Sequence, residues 1–313
     1  MTTFLVVGEA LVDIVETADG TRSRHPGGSP SNVALTAARL GDRAELLTWI
    51  GDDELGRSVH AHLAGSDVIV LPQSTGADRT PTALARLDAA GGATYEFDLD
   101  WQLAPVAVGA DVTVVHTGSI AAVAPTDPPG ALPALLVAAR ETATITYDPN
   151  VRPTIMGSPT AVRDDVERLV AVADVVKVSD EDLAWLYPDR EPVEVLGSWV
   201  AEHGLALGVM TRGGQGSLAA LPDGTRVEVR APAVTVADTV GAGDSFMGAL
   251  LHALDERGLT GASGRERLSR LTSEDAAAIL AFAARVAAIT VSRAGADPPR
   301  RADLVPEPGE AHA

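Results

Sequence analysis

The 313-residue sequence predicts an α/β fold, with a mostly parallel central sheet, helices on both faces and a small β-sheet lid. Three observations carry that expectation. Short apolar runs alternate with segments of helical periodicity along most of the chain. Two extended, partly polar stretches, residues 13–26 and 82–98, interrupt the alternation. A glycine-rich turn then feeds an amphipathic helix near residue 243.

Taken in order, strands are expected at 4–8, 44–50, 68–71, 111–116, 142–147, 173–178 and 205–211, each a short apolar run bounded by turn residues. Helical patterns lie between them, near 30–40, 54–64, 129–140, 160–171, 193–203 and 243–256. The alanine-rich run 275–291 is broken by Arg285 and reads as a buried helix rather than a membrane span. Residues 13–26 and 82–98 are read as hairpins of one small lid, the second turning at Gly91-Gly92. With no repeat and no long linker, 1–313 is expected to be one domain carrying these two insertions. The Pro- and Glu-rich tail from Pro298 is expected to be loosely ordered.

Composition narrows the function. A net charge of −19 and a pI near 4.6 argue against a nucleic-acid partner, which calls for a basic stripe. Without cysteine there is no disulfide scaffold and no thiolate zinc site. The N-terminus lacks a positively charged leader and no run of about 18 uncharged apolar residues occurs, so the cytoplasm is expected. Lys177 is the one lysine, and no Gly-Lys pair exists for a Walker-type phosphate loop.

The chemistry centres on Asp238-Thr239-Val240-Gly241-Ala242-Gly243-Asp244-Ser245-Phe246. Phe246, Met247, Leu250, Leu251 and Leu254 set a helix going just after two glycines. Such a turn exposes unpaired N–H groups that attract anions. A carboxylate at Asp244 makes sense there if it faces the nucleophile attacking a phosphoryl group; alternatively it is a helix-start residue favoured by the dipole.

Four other stretches stand out. His25-Pro26-Gly27-Gly28-Ser29-Pro30-Ser31-Asn32 turns the chain into a helix, with Ser29 suited to the N-cap. Asp148-Pro149-Asn150-Val151-Arg152 is turn chemistry after a strand, ending in a forked cation suited to oxyanions. Ser179-Asp180-Glu181-Asp182 suits a first helical turn. Thr211-Arg212-Gly213-Gly214-Gln215-Gly216 has the wrong glycine spacing for a dinucleotide fingerprint.

Together these motifs, running in order from Gly8 to about Ala296, resemble the PfkB (ribokinase-like) family of sugar and nucleoside kinases. The resemblance implies a ribokinase-like fold, with ATP and Mg²⁺ as cofactors and K⁺ as a further cation. It makes Asp244 the base and Gly241, Ala242 and Gly243 the anion hole. It places Asp13, Gly27, Gly28, Asn32 and Arg152 on the substrate. Ser179, Thr211, Gly213, Gly216 and Gly243 fall on the nucleotide. Asp182, or its neighbour Glu181, would organise water around magnesium, although the family pattern has Asn and Glu where this chain has Ser179 and Asp182. Asp238, with the loop 289–297, would hold the monovalent cation. The phrasing is most similar to bacterial fructokinases, implying phosphorylation of a terminal hydroxyl of D-fructose. A 2-keto-3-deoxygluconate kinase, or a nucleoside or vitamin kinase of the superfamily, is the alternative. A homodimer through the lid is expected, with Leu84, Tyr95 and Phe97 as candidates for the covered face.

Overall fold

Strands and helices are numbered in chain order, and the computed structural model describes residues 2–88, 92–126 and 128–304. The strands are β1 (Thr3–Val7), β2 (Leu11–Glu16), β3 (Arg22–Gly27), β4 (Arg43–Leu47), β5 (Ile50–Gly51), β6 (Ile69–Val70), β7 (Thr75–Ala77), β8 (Thr82–Leu87) and β9 (Ala93–Asp98). Then come β10 (Val112–Gly118), β11 (Thr144–Asp148), β12 (Val175–Ser179), β13 (Leu207–Thr211), β14 (Ser217–Ala220) and β15 (Arg226–Val229). The helices are α1 (Ser29–Leu40), α2 (Glu54–Ala64), α3 (Ser119–Val123), α4 (Ala131–Ala139), α5 (Pro153–Met156) and α6 (Pro159–Val170). They continue with α7 (Asp180–Leu186), α8 (Pro192–His203), α9 (Ala242–Glu256), α10 (Gly261–Leu268) and α11 (Ser273–Val291).

The nine-stranded sheet runs β15-β14-β13-β12-β11-β10-β1-β4-β6. It is parallel from β6 to β13, and β14 and β15 are added antiparallel at one edge. All seven expected strands are present. The two edge strands escape the apolar pattern, because each is four residues long and β15 alternates between exposed and half-buried positions.

Alternation along each strand sends side chains to two separate cores. Val6, Leu46, Val114, Val175 and Val209 pack with α1, α9 and α11 on one face. Leu5, Val115, Ile145, Val176 and Met210 pack with α4, α6 and α8 on the other. Burial on both faces is why these strands read as unbroken apolar runs. The carboxyl ends of the parallel strands form one rim, where ligands of such sheets bind.

The second sheet, ordered β3-β2-β8-β9, joins two antiparallel hairpins through a parallel β2–β8 pairing. The turn at Gly91-Gly92 lies partly outside the described residues, with Gly92 accepting from and donating to Asp88. The register corrects one expectation. Tyr95 and Phe97 stand opposite Ala85 and Ala83, whereas Leu84 stands opposite Glu96. Leu84 is therefore on the other face from the two aromatics. That other face carries the exposed ion pairs Arg22–Glu16, Arg86–Glu16 and Arg86–Glu96. Asp13 shares the aromatic face, opposite His25 and Ala83.

The loosely ordered tail is also corrected. Arg301–Leu304 forms a 3₁₀ turn with Leu304 buried against the α9/α11 core, and Arg285 donates to the Leu304 carbonyl. Residues 305–313 of that expectation lie outside the described residues. Among the described residues, no helix is long and apolar enough to cross a membrane.

Candidate active site

The rim gathers most of the sequence motifs around the start of α9. Gly241 caps that helix in the left-handed region, φ 74°, and a Cβ on it would lie 2.6 Å from the Ala296 Cβ. Both facts require glycine. The Ala242 amide reaches Thr239 at 3.3 Å, and Ser245 makes the first helical bond back to Gly241. Among the described residues, the amides of Gly243 and Asp244 have no acceptor. They are the free donors that a phosphoryl oxygen would use.

Asp244 is buried, and three side chains from the substrate side of the rim hold it. Ser29 donates to Oδ1 at 2.6 Å, Asn32 to Oδ2 at 2.8 Å, and Asn150 reaches Oδ1 at 3.5 Å. Ser29 is thus not the N-cap; Gly28 occupies that place with φ 102°, and the Ser29 hydroxyl serves the carboxylate. A Cβ on Gly28 would strike the Glu9 carbonyl at 2.5 Å, and one on Gly27 would strike the Asp13 carboxylate at 2.3 Å. The glycine pair lets the start of α1 close onto the ends of β1 and β2.

Asp13 lies at this junction. Burial raises its pKa, the charges of His25 and Arg152 lower it, and Asp244 raises it again. Arg152 is exposed and folds back on Asn150, donating to its side-chain oxygen at 2.7 Å. Asn150 itself has φ 37°, a conformation Asn tolerates, fixed by its amide donating to Asp148. Asp13, Asn32, Arg152 and Asp244 therefore surround one space.

The neighbouring strand ends complete the rim. Ser179 and Asp182 form a reciprocal capping box on α7, and Asp182 also accepts from the Val151 amide at 3.1 Å. The hydroxyl of Ser179 and both oxygens of the Asp182 carboxylate are thus engaged with the backbone. Ser179 pairs in register with Thr211, whose strand turns through Gly213 (φ 50°) to Gly216 (φ 99°). A Cβ on Gly216 would lie 2.0 Å from the Val229 carbonyl, while Gly213 has open space beside it. Asp238 accepts from the amides of Val240 and Gly295, and these bonds lower its pKa. That ties the loop before α9 to the loop after α11.

Three groups escaped the sequence reading. Asp148, taken as turn chemistry, is fully buried and meets the Lys177 ammonium at 2.8 Å. Burial pushes Asp148 up to about 6 while Lys177 pulls the other way; the close contact keeps the lysine charged. Glu9 is buried at the end of β1, accepts from the Ala121 amide at 3.0 Å, and is pushed up to about 7 by burial. Only the adjacency of strands far apart in sequence reveals these contacts.

The assembly is a helix N-terminus with free amides, a buried carboxylate beside it, and polar groups from a second sheet facing both. The comparisons decide its family. The profile of the pfkB family carbohydrate kinases matches residues 1–303. The chain belongs to that family. A fructokinase of Klebsiella pneumoniae is 34% identical over 264 residues, covering 81% of this chain and 85% of that protein. A probable fructokinase-2 of Arabidopsis thaliana is 31% identical over 310 residues, covering 93% and 90%. The structure of a Vibrio cholerae O395 fructokinase double mutant, with fructose, ADP and potassium ion bound, superposes with TM-score 0.76 at 27% identity, covering 95% of this chain and 94% of that one. An ATP-bound fructokinase of Xylella fastidiosa shares the fold at TM-score 0.79 and 23% identity, covering 94% and 93%. The resemblance read from the glycine motifs and the ribokinase-like fold are both borne out, and this pfkB-family chain is a carbohydrate kinase.

Proposed function

We propose that the chain transfers the γ-phosphate of ATP to a terminal hydroxyl of D-fructose. The observation that carries this reading is Asp244, held by Ser29 and Asn32 on its substrate side and set beside the unpaired amides of α9. The sugar oxygen attacks the γ-phosphorus and its proton passes to Asp244. The bond to the β–γ bridging oxygen breaks, leaving ADP and the sugar phosphate. The amides of Gly243 and Asp244 hold the phosphoryl oxygens as charge shifts, a preorganised field that supplies much of the rate. Asp13 and Asn32 orient the sugar hydroxyls, Arg152 faces sugar or phosphate, and Ser179, Thr211, Gly213 and Gly216 line the nucleotide.

Magnesium, when bound, neutralises phosphate charge. No group of three ligating side chains exists among the described residues, which suits an ion held mainly by phosphates and waters, with Asp182 as the protein carboxylate. Asp238, whose charge is stabilised by two amides, would be the anionic ligand of K⁺. The stacked pair Tyr95 and Phe97, on the lid face that also carries Asp13, with Tyr95 61% exposed, is proposed to meet a second subunit in a cytoplasmic homodimer. Sedimentation at micromolar concentration should give a dimer; a monomer would remove that part of the reading.

The sugar is tested by comparing kcat/KM for fructose and 2-keto-3-deoxygluconate. The acid is the competitor because Arg152 is an exposed guanidinium able to take a carboxylate. Fructose should give the higher value, and the reverse order would reassign the substrate.

A further inference from the structure

Lys177 is the one lysine in 313 residues, and it sits inside a parallel strand with 3% of its surface exposed. A charge so placed is costly unless paired. Asp148 pairs it at 2.8 Å, but a buried ion pair is rarely more stable than apolar side chains of the same volume. Stability therefore does not explain it, whereas two features of its surroundings do.

The first is contact with the phosphate-binding turn. A Cβ on Gly243 would lie 2.9 Å from the Lys177 Nζ. Gly243 is not among the glycines with positive φ, so its backbone does not require glycine. The ammonium instead fills the space where a Cβ would stand, directly against the turn.

The second is charge. Tyr147 pairs with Val176, so the next residues, Asp148 and Lys177, stand level on adjacent strands under α9. The ammonium faces Asp148 from β11, Asp182 from α7 and Asp244 from α9. His116 from β10 is buried beside it and is driven down to about 3 by burial and by Lys177, so it adds no positive charge. One cation thus stands against three carboxylates, directly behind the turn where a phosphate would arrive.

Resting on the kinase reading above, we propose that Lys177 is a positioning residue for phosphoryl transfer. Held by Asp148 behind Gly243, it sustains the field of the α9 amides and offsets the surrounding carboxylates while the phosphoryl group crosses to the sugar. It acts through the turn and does not touch substrate. Its effect belongs to the transition state more than to ground-state binding.

The test uses the full chain with Lys177→Met and with the double variant Asp148→Asn/Lys177→Met, which leaves no unpaired buried charge. In the folded variants kcat should fall by about 10²–10³-fold, the loss typical when one oxyanion-stabilising group is removed. KM for ATP and for the sugar should stay within about threefold of wild type, the signature of an interaction made only in the transition state. Binding of ADP with magnesium and aluminium fluoride, a mimic of the transferring phosphoryl group, should weaken by a factor similar to kcat, with ADP alone unaffected. A folded variant with kcat near wild type overturns the proposal. So does a double variant that cannot fold, since the pair would then be structural, and so does a loss seen only in KM. Wild-type protein that releases no ADP with any sugar would sink the kinase reading itself; an active wild type beside an equally active variant sinks only the role of Lys177.

Discussion

Strands β11 and β12 carry buried carboxylates at both ends, and the two ends are completed differently. At the amino end, Asp174 accepts from Arg140 at 2.9 Å and from the Ile145 amide at 2.9 Å, with Arg265 at 3.3 Å. Arg265 also bonds the carbonyls of Arg140 and Ala143, tying α10 to the end of α4. Two cations and an amide surround one carboxylate, and the ionic groups of the cluster pair with one another within the protein. At the carboxyl end, Asp148, Asp182 and Asp244 share one ammonium, and two helix amides lack an acceptor. That end is left open. On the proposed reading it is completed by a ligand carrying both signs of charge, a nucleotide phosphate with its magnesium ion. The same chemical groups thus close a structure at one end and prepare a reaction at the other.

The sharpest way to break this comparison is Asp244→Asn. Asparagine keeps one acceptor for the Asn32 amide, its own NH2 can donate to the Ser29 hydroxyl, and it removes one of three neighbouring negative charges, so the melting temperature should hold or rise. Loss of a general base should lower kcat by about 10²–10⁴-fold, or about 3–5 kcal/mol of barrier. ATP binding should stay close to wild type. A variant keeping a tenth of wild-type kcat would take Asp244 out of the role of base.

The parts of the site that were legible in sequence are those written locally. Gly241 to Asp244 carries its helix start, its glycine turn and its carboxylate in four residues. Gly27 and Gly28 likewise announce a close approach, although what they approach, the Asp13 carboxylate and the Glu9 carbonyl, is not local. The strands of the parallel sheet were legible because burial on both faces makes them apolar throughout. What escaped depends on strand order. Asp148 and Lys177 are 29 residues apart and meet only because β11 and β12 are neighbours. Seen alone, the first is a turn residue and the second an odd charge in an apolar strand. The misplaced face of Leu84 has a related cause: a shift of one residue in register turns every side chain of a strand over, and a Gly-Gly turn does not fix the register.

Asp174→Asn is the smaller and complementary perturbation. Asp174 is 2% exposed, but its partners Arg140 and Arg265 are 41% and 31% exposed by side chain, so water relieves part of what they lose. Asparagine keeps one acceptor for the Ile145 amide or for Arg140, but not the charge. Breaking a wholly buried pair costs about 3–5 kcal/mol; with both arginines partly hydrated, about 2 kcal/mol is expected here. For a domain of this size that is a fall of a few degrees in melting temperature. Because Asp174 lies at the far end of the strands from Asp244, kcat and KM measured well below that temperature should stay within about twofold of wild type. Asp244→Asn and Asp174→Asn would then differ in opposite senses, one inactive and stable, the other active and less stable. A drop in kcat for Asp174→Asn with no change in melting temperature would mean that the amino-end cluster is coupled to the chemistry, and the separation of the two ends would fail.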